Sequence, residues 1–128
     1  MTIESKSVLE MARGETNTIR LDWGENTQGA ETGGTLIDGD TVASCTVAIY
    51  DKPTGAADLT LGSVTVGSTT KIFAGRRTVS SGEWTYGNVQ TASDQTAGIY
   101  KLKYVATTTA GKVIPWIQRL KVIVPSTQ

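Results

Sequence analysis

Tyr100, Leu102, Tyr104 and Ala106 fall at every second position of the sequence, with Lys101, Lys103 and Val105 between them. The same beat returns after a short turn, Thr108 to Lys112, where Trp116, Leu120, Val122 and Val124 are set against Arg119 and Lys121. A period of two sends alternate side chains to opposite faces of a strand, whereas a helix would scatter these apolar residues around its circumference. Two such runs joined by a short loop containing Gly111 predict a β-hairpin with one buried face. Pro115 cannot donate to a ladder, so it is expected at a strand start, on an edge or beside a bulge.

The period recurs upstream. Ile19, Leu21 and Trp23 alternate with Thr18, Arg20 and Asp22. Between Thr41 and Asp51, Ala43, Cys45, Val47 and Ile49 share one face, and Val42, Ser44, Thr46 and Tyr50 the other. From Leu59 to Val66 the apolar residues change phase around Gly62, which predicts a bulge or bend there. Ile72 to Val79 reads as a short or irregular strand, and Glu83 to Val89 places Trp84 and Tyr86 on one face. Residues 24–40 form a long polar connection rich in Gly, of the kind that is usually functional or mobile. About seven strands with no helical period predict a β-sandwich over residues 14–128. Residues 1–13 are expected as an arm, in which Val8, Leu9 and Met11 fit either a short edge strand or one helical turn.

Composition narrows the function. A chain of 128 residues suits one domain with a real core. Thr is its commonest residue, which favours strands and turns. Twelve basic and twelve acidic residues cancel, with no basic block longer than Arg76-Arg77, so no field draws the chain to nucleic acid or to anionic lipid. No apolar stretch approaches the roughly 20 residues of a membrane span. The chain has no histidine, which removes histidine triads, the usual zinc catalysts and Cys-His pairs. The single Cys45 forbids an internal disulfide and is in phase with Val47 and Ile49, as a buried small hydrophobe would be. The first residues show no basic and apolar signal pattern, so synthesis in a cytoplasm is expected.

Asp94, Ala97-Gly98, Tyr100 and Leu102 resemble the start of strand F in an immunoglobulin-like sandwich. There the tyrosine bonds back to the preceding corner, and a cysteine stands where this chain has Leu102. A tyrosine merely half-buried in a hairpin is the alternative. A wider resemblance rests on Arg13-Gly14-Glu15-Thr16 leading into Leu21-Asp22-Trp23, on Gly39-Asp40-Thr41-Val42-Ala43-Ser44, on Gly98 and Tyr100 with Thr109-Ala110-Gly111-Lys112, and on the closing run from Arg119 through Leu120 to Val122 and Val124. In these turn and strand patterns the chain resembles small virion proteins of tailed bacteriophages. The resemblance implies an antiparallel immunoglobulin-like sandwich without enzymatic activity. It also implies assembly in the host cytoplasm, a place on the virion, and partners among the major capsid protein, other virion proteins and further copies of the chain. A capsid decoration role is the first expectation, and a tail, neck or baseplate position the nearest variant.

Candidate chemistry is sparse. Asp38-Gly39-Asp40 offers two carboxylates, but calcium takes six to eight oxygens and a Gly-centred turn explains the pattern. Asp22 and Glu25 lack the cleft that an acid-base pair needs. No metal or cofactor site is expected. Trp23, Trp84 and Trp116 with Tyr50 and Tyr86 could form a platform for a glycan, although Trp23 and Trp116 are in phase with core residues. The residues expected at interfaces are Val8, Leu9, Met11, Arg76, Arg77, Trp84 and Tyr86, because aromatic and Arg side chains are enriched at subunit contacts.

Overall fold

The structure is a computed structural model that describes residues 3–24, 40–73 and 77–124. Among them it has ten strands and no helix: β1 (Ile3–Ala12), β2 (Thr16–Asp22), β3 (Val42–Asp51), β4 (Thr60–Leu61), β5 (Thr65–Val66), β6 (Lys71–Phe73), β7 (Arg77–Val79), β8 (Trp84–Gln90), β9 (Gly98–Thr108) and β10 (Val113–Ile123). One sheet runs β1-β10-β9-β3, and a second runs β2-β8-β4 with β5 also paired to β8. The two enclose a core of Ile19, Leu21, Trp23, Val89, Tyr100, Leu102, Tyr104, Trp116, Leu120 and their neighbours. This is an immunoglobulin-like sandwich, held without a disulfide because Cys45 is free and buried.

The hairpin of β9 and β10 falls where the alternation puts it, with Tyr104 opposite Trp116 and Leu102 opposite Gln118. Trp23 and Trp116 meet edge to face at 5.1 Å and 72°, a preferred geometry for two rings. The Trp23 indole N–H donates to Thr85 Oγ1 (2.9 Å), so this buried donor is satisfied. Pro115 is the third residue of β10, close to the strand start as expected, and stands opposite Val105.

The tyrosine corner is present. The Tyr100 hydroxyl donates to Thr96 O (2.6 Å) and accepts from Gln95 Nε2 (3.1 Å). Gln95 itself is buried, donating to Ala57 O (2.8 Å) and accepting from the Ala92 amide (3.1 Å). These bonds pin the turn from β8 into β9 to the chain near Ala57.

Of the two forms that residues 1–13 fit, the described part takes the edge strand, since β1 pairs parallel with β10 from Ile3 to Ala12. Leu9 and Met11 stand beside Leu120 and Val122, and Met11 is 2 % exposed. Parallel partners lie far apart in sequence, and this pairing leaves no local turn signal to read. The chain then crosses to the other sheet through Arg13-Gly14-Glu15. Gly14 takes φ 76°, Glu15 Oε1 accepts from the Ala12 amide (2.8 Å), and Arg13 Nε donates to Gln95 O (2.6 Å). A motif read as a turn pattern is thus the corner that joins the two sheets.

The phase change near Gly62 is a bulge. From Leu61 to Thr65 the chain takes four steps while the facing β8 takes three, from Val89 to Tyr86. A second irregularity, between Val42 and Ser44, turns Val42 into the core rather than to the face shared with Ser44.

Candidate functional site

Outside the sandwich, β6 and β7 form a separate hairpin that lies against Trp84. In the pairing of β2 with β8, Trp84 and Tyr86 stand opposite Asp22 and Arg20, whereas core residues Ile19 and Leu21 face Gly87 and Thr85. Trp84 and Tyr86 therefore share the outer face of that sheet, as the alternation predicts. The hairpin reverses the expected exposure of Trp84. Phe73 meets its ring edge-on at 6.0 Å, Lys71 Nζ sits 5.8 Å from its centroid, and its indole N–H donates to Thr69 O (2.8 Å). Trp84 is only 6 % exposed, so it cannot act as a surface anchor or a sugar platform in this conformation. Tyr86 packs beside it at 5.3 Å and stays 38 % exposed.

The hairpin alternates as well. Lys71 and Phe73 face Trp84 while Ile72, 63 % exposed, points away, and Val79 is fully buried. The result is a small third layer with its own apolar centre and an outward isoleucine. Sequence reading missed it because three-residue strands carry too little alternation to register.

The other interface candidates scatter. Val8 lies exposed on β1 beside Arg119, Leu9 is partly exposed at the sheet edge, and Met11 is in the core. Arg77 pairs with Phe73 through the backbone, its side chain lying outside what is described, and Arg76 lies outside the described residues. Trp23 and Trp116 are buried, as their phase with core residues predicts, so the five aromatic residues form no common platform.

The acidic candidates serve turns. Asp40 Oδ1 accepts from the Thr41 and Ala110 amides (2.9 and 3.1 Å), linking the start of β3 to the β9–β10 turn. Desolvation pushes its carboxyl up, but hydrogen bonds from Thr108, Ala110 and Thr41 and the charge of Lys112 outweigh this, so it titrates below its ordinary 3.8. Asp38 and Gly39 lie outside the described residues, as does Glu25. Asp22 Oδ1 accepts from the Gly24 amide (3.0 Å).

On the opposite side of the molecule, the outer face of β1-β10-β9-β3 holds a shallow depression of about 330 Å³ lined by Glu4, Tyr50, Lys101, Lys103 and Ile117. Lys103 Nζ lies 5.8 Å from the centre of the Tyr50 ring. Among the described residues neither Lys101 nor Lys103 forms an ion pair.

Burial raises the Cys45 thiol from 9.0 to about 11, against weaker opposing hydrogen bonds from Thr85 and Val105. The nearby Tyr104 hydroxyl is raised from 10.0, first by burial and then by the Cys45 charge. An unfolded thiol ionises from pH 9, whereas the folded one keeps its proton until about pH 11. Stability that is whole below pH 9 is therefore lost as the pH climbs to about 11. Full coupling is worth about 1.4 kcal/mol per unit, which partial solvent contact brings to about 2 kcal/mol over the window. Urea unfolding at pH 8, 9 and 10 should show the decline, with Cys45→Ala flat until Tyr104 begins to contribute above pH 10. An identical slope in the variant would assign the decline to other groups.

No protein-family model matches the chain, and no curated protein is similar to it.

Proposed function

We propose that the chain is a non-enzymatic structural module of a tailed-bacteriophage virion, a capsid decoration protein that binds the assembled lattice. The observation that carries this reading is the β6–β7 hairpin. It closes no part of the sandwich core, yet it lies on the outer face of β8, where Phe73 and Lys71 pack on Trp84. It holds Ile72 out to solvent, and Tyr86 beside Trp84 also stays partly exposed. An apolar side chain carried on paired strands suits docking, because the strands that present it are already hydrogen-bonded to each other. Repeated lattice sites would then gather many copies of the chain, each adding buried area between neighbouring capsid subunits. A neck, tail or baseplate position uses the same surface with a different partner. The turn and strand patterns in which the chain resembles small virion proteins support the same reading.

The test is mass spectrometry of purified particles from cells that carry the gene. The chain should be a stoichiometric component of the particle, and Ile72→Asp with Tyr86→Ala should leave most of it in the soluble fraction while the fold persists. Particles free of the chain, or unaffected by both substitutions, would overturn the proposal.

A further inference from the structure

The depression on the outer face of β1-β10-β9-β3 follows from the strand register. One cross-strand row reads Ala48, Lys103, Ile117, Glu4 across β3, β9, β10 and β1. The small Ala48 and the buried Ile117 leave the middle of the row low, and Tyr50 stands at its β3 side. Lys101 and Lys103 are two residues apart on β9, so they share this face at a spacing of about 7 Å. Both lysines are half-buried, and Arg119 faces Lys101 from β10. Glu4 lies across the depression from them, and the Tyr50 ring is 59 % exposed.

From this geometry we propose that the depression binds one unit of an acidic saccharide, a sugar ring bearing a carboxylate. Lys101 and Lys103 take the carboxylate by charge-assisted hydrogen bonds. Ile117 and the Tyr50 ring pack on the apolar face of the sugar, and Glu4 accepts from its hydroxyls. Size agrees with this, since about 330 Å³ lies at the small end of ligand sites and leaves no room for an extended chain. The charge agrees as well, because an anion neutralises two adjacent cations that have no ion-pair partner of their own among the described residues. The site faces away from the β6–β7 hairpin, on the opposite sheet, so a particle-bound chain would present it outward. It does not depend on the virion reading.

The experiment titrates the isotopically labelled full chain with galacturonate, and separately with galactose as the uncharged counterpart, and follows its amide resonances by NMR. Galacturonate should shift Tyr50, Lys101, Lys103 and Ile117 at millimolar concentration, with galactose at least about tenfold weaker, the scale of one lost charge-assisted bond. Lys101→Ala with Lys103→Ala should weaken galacturonate by about tenfold or more while the tryptophan emission stays native, since both side chains lie on the outer face. Absence of shifts, equal response to the two sugars, or an unaffected double variant would each overturn the proposal. So would a glutamate-rich peptide that shifts the same resonances more strongly than galacturonate, which would assign the face to a protein partner. Particle attachment is read by mass spectrometry and saccharide binding by NMR, so each fails or holds on its own.

Discussion

Gly67→Ala is expected to destabilise the chain by about 3 kcal/mol and to detach the β6–β7 hairpin from Trp84 before the sandwich unfolds. Gly67 is buried, and a Cβ placed on it would fall onto Cε2, Cδ2 and Cζ2 of the Trp84 indole. These are atoms of a rigid ring already covered by Phe73 and Lys71, so no small rotamer adjustment relieves the clash. The Gly67 amide donates to Trp84 O (2.7 Å) and its carbonyl accepts from the Gly82 amide (2.8 Å), which prevents the backbone from withdrawing. The ring must therefore move, giving up its bond to Thr69 O. Overpacking costs about 1–3 kcal/mol, and an abandoned buried N–H bond adds about 1 kcal/mol. Tryptophan emission should shift to the red, and the amides of β6 and β7 should exchange faster than those of β9. Gly55→Ala is the control: its φ of 78° is strained for alanine but nothing stands within 4 Å, so about 1 kcal/mol and no spectral change are expected. A native emission spectrum and melting point for Gly67→Ala would refute the account of Trp84.

The contrast between Trp84 and Tyr100 shows what a linear sequence discloses. Tyr100, Leu102 and Tyr104 could be assigned to the core because one alternating run carries enough apolar residues to fix its buried face, and all three are buried. The bulge after Leu61 was legible for the same reason, as a break in a period of two. Trp84 and Tyr86 were correctly given one face, but alternation does not say what covers a face. Cover came from a hairpin whose strands have three residues each. The parallel pairing of β1 was equally hidden, since Met11 and Val122 are far apart in the chain and meet only through the register. The depression required the same missing information. Lys101 and Lys103 were visible as the outward side of a strand, whereas their meeting with Glu4, Tyr50 and Ile117 exists only once four strands are aligned.

Leu102→Ala is expected to be the other severe substitution, costing about 3–4 kcal/mol. Leu102 is at the centre of β9, between Ile49 of β3 and Gln118 of β10, and is fully buried. Truncating such a side chain removes its transfer free energy and leaves a cavity that neighbours fill only partly, and measured costs run from about 2 to 5 kcal/mol. Removing a native disulfide from a small domain costs about the same, 2–5 kcal/mol. Leu102 stands at the position where immunoglobulin domains carry a cysteine, and the lone Cys45 makes no disulfide. Packing at this point therefore does the work of the cross-link, and does so in a reducing environment as well as in an oxidising one. Against a typical stability of about 5–15 kcal/mol the loss is a large share, so the urea midpoint should fall sharply while the slope of the transition is unchanged. Leu102→Met keeps nearly the same volume and should cost less than about 1.5 kcal/mol. If Leu102→Ala costs no more than Leu102→Met, the two sheets are held together elsewhere, and the core around Trp23 and Trp116 becomes the place to look.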